Sequence, residues 1–190
     1  MSEHLFHKVS WHQVATVRAR QAVQIINQMS RADILDPNIA KTLDGLAAKQ
    51  VLVVPELVVS AIDGARREES REDSDGWGGR FMRSVAFMDV TIPFRGDEDG
   101  FRVTPSHSPL GLRAEIRHDS LLLTLPDDGQ VQAGVDRFVE RVSGALDSLR
   151  KEVEAWQPQF RQAVQSAFQT RREEIEEQSK RDGALKFPVR

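Results

Sequence analysis

A long run of apolar residues at helical spacing constrains the fold of this 190-residue chain more than any other feature. From Val131 to Trp156 apolar side chains recur at steps of three and four, which predicts an amphipathic helix of about seven turns. Pro158 removes a helical hydrogen-bond donor and restricts Gln157, so we expect the helix to end there and another to follow from Phe160. We expect the apolar stripe to be buried within the chain, with a homodimer through these C-terminal helices as the alternative.

The N-terminal third predicts two further helices. Apolar residues recur at mostly helical spacing from Trp11 to Met29, and Ser10 precedes them as a plausible N-cap. Asp36 and Pro37 are typical of an N-cap followed by a first-turn proline, and the helix that they open should reach about Gln50.

The middle of the chain predicts β-structure. A β-branched run, Val51–Val54, opens the region, and Phe81–Phe94 has apolar residues on both parities, which is typical of a central strand. Residues 66–75 are mostly charged and favour a solvated hairpin or loop, with an outer strand as the alternative. Pro93 and Pro105 follow β-runs, so we expect both to end ladders at sheet edges.

Shorter patterns complete the predicted sheet. Phe101–Thr104 is a short strand that ends at Pro105, and Leu112–Arg117 with Ser120–Leu125 predicts a hairpin around His118 and Asp119. The sequence therefore predicts an α+β fold with two N-terminal helices, an antiparallel meander of about five strands and a long C-terminal helical pair. We expect residues 1–129 to hold the first helices and the sheet, and residues 130–190 to form a helical hairpin that packs on or projects from it, within one structural domain.

Composition excludes several classes of function. The chain has no cysteine, which excludes disulfides, a cysteine-ligated zinc and a thiol nucleophile. Its net charge of −3 provides no global attraction to nucleic acid or to an anionic membrane. No apolar run approaches the roughly 20 residues of a membrane span, and the first ten residues do not resemble a secretory signal. We expect a soluble, cytoplasmic protein without membrane contact.

Candidate catalytic and metal-binding residues are sparse. His4, His7 and His12 lack an acidic residue at matching helical spacing, so we expect no metal site there. Ser106 and His107 are adjacent in sequence, which directs their side chains apart in an extended segment, and no Gly-x-Ser-x-Gly motif exists. A hydrolase that uses this pair is a minor alternative to a non-catalytic protein. The glycines near Trp77 lack the spacing of a phosphate loop or a dinucleotide site, and no cofactor is expected.

Basic and aromatic residues near the predicted strand ends are the candidate ligand-binding set. They are Arg95, Arg102, His107 and Arg113, with Trp77 between glycines as a candidate lid. Arginines also occur in pairs on the terminal helices, for example Arg171 and Arg172, which makes nucleic-acid binding the alternative function. Glutamates are interleaved with them, and this pattern is more typical of a solvated, ion-paired helix face.

Three short motifs together resemble the N-terminal module of a poorly characterised family of bacterial proteins. They are P-F-x-G-D at Pro93–Asp97, F-x-x-x-P-S at Phe101–Ser106 and a G-F-P-x-R ending, for which this chain has Lys186-Phe187-Pro188-Val189-Arg190 with lysine in place of the glycine. The resemblance covers roughly residues 51–190. In this family the module precedes a restriction-endonuclease-like effector domain, which implies a role in defence against foreign DNA. The present chain ends where that domain would begin, so we expect a separately encoded partner or an excised module.

These observations together predict a non-catalytic sensor or adaptor. It would bind a ligand or a partner protein and thereby position or regulate an effector, and the resemblance implies that this effector acts in bacterial antiviral defence.

Overall fold

A computed structural model describes residues 2–74, 77, 79–106 and 111–184. The fold mixes helices with an antiparallel sheet, which confirms the predicted α+β class. Two compact units make up the chain, and each draws on two separate segments. The first unit contains the described residues of Met1–Trp11 and Val53–Arg150, and the second contains those of His12–Leu52 and Lys151–Arg190. This division differs from the predicted one at residues 129 and 130.

The first unit is built on a sheet in which long β5 (Arg80–Arg95) is the main strand. The order is β1 (Glu3–His4), β7 (Arg113–Ile116), β8 (Ser120–Pro126), β5 and β3 (Glu56–Leu57), and β4 (Asp63–Ser74) also pairs with β5. All these pairings are antiparallel. The predicted hairpin is confirmed, because Arg117 N–H donates to Ser120 O across the turn at His118 and Asp119.

One face of this sheet forms the core of the first unit with α4, which begins at Val131. Side chains with even numbers in β5 and odd numbers in β8 point to the same side, since Ile92 pairs with Leu121 and Val90 with Leu123. The helix adds buried residues to this core, namely Val135, Phe138, Val142, Ala145 and Leu146. The apolar stripe is thus buried within the chain, as expected.

Pro93 lies inside paired β5, so the prediction that it ends a ladder at an edge is wrong. It pairs with Ser120 of β8, while its carbonyl accepts a hydrogen bond from Val58 N–H on the opposite side. The amide position of a strand residue faces the same neighbour as its carbonyl, so the missing donor of Pro93 faces the β3 side. There β4 has ended, at the pair Asp63–Thr91, and β3 begins opposite Phe94. Pro105, in contrast, directly follows a strand, as predicted.

The charged segment after residue 63 is a strand, β4, rather than a solvated hairpin or loop. It pairs with β5 in unbroken register from Asp63–Thr91 to Ser74–Arg80. The outer-strand alternative is therefore the correct one. Its charges are balanced by opposite charges at spacing two, since Arg67 and Arg71 both bind Glu69. Residues at this spacing share one face of a strand, so the ion pairs support the extended conformation.

Two short segments differ from the predicted meander. Val103–Thr104 forms β6, which pairs in parallel with β2 (Val9–Ser10) in a separate two-stranded sheet. Val51–Val54 is not a strand, and Val53 O instead accepts a hydrogen bond from Asp97 N–H. The turn at residues 96–101 approaches this segment so closely that a Cβ added at Gly100 would lie 2.2 Å from Pro55 Cδ. Both pairings join residues far apart in sequence, which local patterns do not encode.

The second unit is helical. It holds α1 (Trp11–Gln28) from His12 onward, the short α2 (Arg31–Ile34), α3 (Ile39–Gln50) and the distal part of α4. Ser30 caps α2 through its hydroxyl, and α3 begins at Ile39 instead of following an Asp36 cap. Its core contains Ala22, Ile26, Ile34, Ala47, Phe160, Val164, Phe168 and Ile175.

The predicted C-terminal helical pair is a single helix, α4, which extends from Val131 to Gly183 with Pro158 inside it. Proline at this position costs one helical hydrogen bond. Trp156 stacks on Phe160 at 4.3 Å between ring centroids, and Val153 and Phe160 are buried on either side of the proline. These contacts hold both flanking turns in helical conformation, so packing outweighs the local penalty.

Candidate functional site

The described members of the predicted ligand-binding set have different surroundings. Arg102 and Arg113 each contact the N-terminal strand β1, Arg95 is exposed at the end of β5 opposite Glu56, and Trp77 lies beyond the ends of β4 and β5. His107 lies outside the described residues, so the Ser106/His107 pair stays a prediction. Ser106 itself is exposed.

Arg102 is held in an acidic environment. Its guanidinium donates to Glu98 at 3.1 Å and to Asp99 at 2.9 Å, and it lies 3.6 Å from Glu3. Burial alone would lower the pKa of Arg102, but the hydrogen bonds to Glu98 and Asp99 outweigh it and raise the pKa. The pKa of Glu3 is lowered, chiefly by its hydrogen bond with Lys8. Arg102 is therefore a tether between the N-terminal segment and the turn at residues 98–101 rather than an open anion site.

Arg113 is likewise engaged with the N-terminal segment. Its Nε donates to His4 Nε2 at 2.9 Å, and His7 Nδ1 donates to His4 O at 2.7 Å. The described residues contain no group of three or more side chains suited to hold a metal ion. The contacts fix β1 against β7.

The most exposed structured feature of the first unit is a two-stranded arm, which we call the β4–β5 ribbon and define as Glu68–Ser74 with Arg80–Ala86. Over these residues β4 and β5 pair only with each other among the described strands, because β8 contacts β5 only from Phe87 to Pro93. The last bond on the β8 side runs from Asp127 N–H to Ala86 O. Beyond this point one edge of β5 has no neighbouring strand in the described part of the chain.

At the base of the ribbon a polar network covers the sheet face opposite α4. Asp89 accepts from Thr124 Oγ1 at 2.6 Å and from Arg67 Nε at 2.8 Å. The pKa of Asp89 is lowered by these hydrogen bonds, of which the one from Thr124 contributes most. The guanidinium groups of Arg67 and Arg71 lie 5.7 and 4.7 Å from the ring centroid of Phe87. These contacts bury Phe87 and fix the ribbon to the sheet.

Large apolar side chains are exposed at the outer end of the ribbon. The exposed fractions are 95% for Trp77, 48% for Phe81 and 66% for Met82. Phe81 and Met82 are consecutive residues of a strand and therefore lie on opposite faces. The arginines beside them are offset by acids, since Arg80 lies 3.4 Å from Glu72 and Arg83 lies 3.9 Å from Asp73. Sequence reasoning proposed Trp77 alone, although the two-sided apolar pattern of β5 extends to Phe81 and Met82.

Three C-terminal arginines among those proposed for nucleic-acid binding are paired with glutamates of the same helix. Arg171 binds Glu174, Arg172 binds Glu176 and Arg181 binds Glu177, at spacings of three or four residues. Such pairs neutralise the helix surface locally, so phosphate binding would have to break them first.

Comparisons with protein-family models, curated proteins and solved structures found no match to this chain. No helix among the described residues is long and apolar enough to cross a membrane.

Proposed function

We propose that this protein is a non-catalytic binding module that contacts a partner protein through the β4–β5 ribbon and so positions or regulates an effector. The observation that carries the proposal is the exposure of Trp77, Phe81 and Met82 at the outer end of the ribbon. The arginines beside them, Arg80 and Arg83, are offset by Glu72 and Asp73. Aromatic residues and methionine are enriched at protein interfaces, and tryptophan is the residue type most enriched among energetic hot spots.

The polar residues favour protein recognition over small-ligand or nucleic-acid binding. Arg102 and Arg113 are occupied by the N-terminal segment, and Arg171 and Arg172 are paired with glutamates of α4. The ribbon instead offers strand backbone and apolar side chains together, which are the components of recognition by strand addition. The family resemblance adds a candidate effector, a restriction-endonuclease-like protein, and thereby a role in defence against foreign DNA.

A photo-crosslinking amino acid at Trp77 tests the proposal in cells that encode the chain. We expect it to capture a defined protein, and the capture should be lost when Phe81→Ser and Met82→Ser are added. The matched control places the same crosslinker at Val17, an exposed residue of α1 that is not part of the ribbon. Equal capture from both positions, or capture that ignores the serine substitutions, would contradict the proposal.

A salt-dependent shift of DNA mobility would instead favour the nucleic-acid alternative. In that case Arg171→Gln with Arg172→Gln should weaken the shift, while the ribbon substitutions should not.

A further inference from the structure

We propose that the β4–β5 ribbon binds a second copy of this chain, by antiparallel pairing of the exposed β5 edge across a twofold axis. Met82 of one copy then faces Met82 of the second. The inference rests on the proposed use of the ribbon as a protein-contact surface, and it names the partner and the register of that contact.

The backbone of the ribbon carries hydrogen-bonding groups on the β8 side that pair with no described strand. Even-numbered residues of β5 direct their backbone N–H and C=O groups toward β8. Two hydrogen bonds demonstrate this, from Asp127 N–H to Ala86 O and from Phe94 N–H to Asp119 O. Strand residues alternate in the neighbour that they face, so the N–H and C=O groups of Arg80, Met82 and Ser84 point to the edge that no described strand covers. The pairing of these residues with β4 is continuous and uninterrupted by proline.

An exposed edge of this kind normally carries a protective feature. Soluble proteins block such edges with prolines, bulges or charged side chains, because an open edge pairs with other chains. The segment Arg80–Ala86 has no proline and keeps an even ladder with β4, and its charges, Arg80 and Arg83, are offset by Glu72 and Asp73. Phe81 and Met82 are exposed on its two faces. A partner that adds a strand contacts both faces at once, whereas a partner docked on one face covers only one of these side chains.

The position of Ala86 and the charges select one register for two identical strands. Pairing Met82 with Met82 places Arg80 opposite Ser84 of the second copy and forms about six backbone hydrogen bonds. A shift toward β8 would place Arg83 opposite Arg83 and would compete with the bond from Asp127 to Ala86. A shift the other way shortens the paired segment.

Charge also favours a second copy as the occupant. In this register Arg83 lies beside Phe81 of the second copy, where a guanidinium over an aromatic face is attractive. Glu72 and Asp73 offset Arg80 and Arg83 within each ribbon, which reduces the repulsion between the arginines of the two copies. Because Arg83 and Phe81 lie on the same short strand, twofold symmetry forms the Arg83–Phe81 contact twice, once in each direction.

The absence of cysteine in the wild-type chain makes the register directly testable. A hydrogen-bonded antiparallel pair places the two Cα atoms about 5.5 Å apart, within the range for a disulfide. Met82→Cys should therefore form a covalent dimer under mild oxidation. Ser84→Cys is the matched control, because it lies on the same edge and face yet faces Arg80 of the second copy. Alone it should form no covalent dimer, and it should form a mixed disulfide only with Arg80→Cys.

Solution measurements on the full-length chain complete the test. Sedimentation of the wild type over a roughly hundredfold range of concentration should show a monomer–dimer equilibrium. Met82→Pro removes an edge-facing donor that β4 does not use, so the fold should persist, as judged by circular dichroism, while dimerisation weakens more than about tenfold.

The outcomes distinguish this inference from the proposed function. A strictly monomeric wild type, or Ser84→Cys linking to itself as readily as Met82→Cys, overturns the inference. If the Trp77 crosslinker still captures a different protein in a manner that depends on Phe81 and Met82, the proposed function stands without it. A dimer that captures no other protein would support the inference and contradict the adaptor function.

Discussion

The two halves of β5 share one strand and similar apolar residues but differ in what covers them. From Phe87 to Phe94 the strand has β8 on one side and β4 or β3 on the other, and Val90, Ile92 and Phe94 are buried. From Arg80 to Ala86 it has only β4, and Phe81 and Met82 are exposed. The apolar residues therefore explain why the whole segment forms a strand. The neighbouring strands determine whether the apolar side chains of each half are buried in the core or exposed to solvent.

Proline substitutions in the two halves of β5 should differ most in the free energy of unfolding that they cost. The backbone N–H and C=O groups of Val90 and Ser84 both point to the β8 side, but only Val90 has a strand there to pair with. Val90→Pro should cost more than about 3 kcal/mol, because a buried acceptor loses its donor and a core side chain changes. Ser84→Pro should cost less than about 1 kcal/mol. Urea denaturation measures both, and comparable losses would show that the ribbon edge is covered.

Truncation of apolar side chains should give the next largest contrast. Ile92 is fully buried, so Ile92→Ala should lower the free energy of unfolding by about 2–5 kcal/mol. Met82→Ala should change it by less than about 0.5 kcal/mol when the protein is dilute. Thermal and chemical melts provide the comparison. If Met82→Ala caused a large loss that grew with protein concentration, the lost stability would come from dimerisation of the wild type.

Carboxylate substitutions should give the smallest contrast, and it should depend on pH. The lowered pKa of Asp89 means that its stabilising contribution is present above its unfolded pKa, roughly 3.9, and is lost as pH falls through the folded pKa. Asp89→Asn should cost about 1 kcal/mol near neutrality and progressively less in acid. Asp73→Asn in the ribbon removes an exposed pair and should cost less than about 0.5 kcal/mol. Melts across this pH range would contradict the assignment if the Asp89→Asn deficit persisted in acid.

Local patterns predicted those elements whose own side chains determine their conformation. The two-sided apolar pattern of β5 and the turn at His118 and Asp119 required no knowledge of distant residues. β4 was not distinguished from a loop, because its burial signal is absent and its stability comes from pairing with β5. A usable signal was present in the opposite charges of Arg67 and Glu69, which lie two residues apart and share a face only in a strand.

The failed predictions involve interactions between residues that are distant in sequence or a tertiary contact that overrides a local rule. Pro158 should end a helix by propensity, but the helix is maintained by the burial of Val153 and Phe160 on either side of it, together with the local Trp156–Phe160 stack. The candidate site was only partly recognised for a similar reason. Arg102 is an attractive ligand-binding residue in sequence, and only its spatial proximity to Glu3 identifies it as a tether.

The interleaved segments of the helical unit impose an order on biosynthesis. Ile26, Ile34 and Ala47 are made early, yet their core partners Phe160, Val164 and Phe168 leave the ribosome more than a hundred residues later. At about 5–20 residues per second, this delay is on the order of ten seconds. During that time the first helices present an unburied apolar face to solvent, which makes the nascent chain a client for chaperones that bind exposed hydrophobic segments. The strands of the sheet unit can pair during this interval. We therefore expect the middle of the chain to fold before the N-terminal helices complete their core.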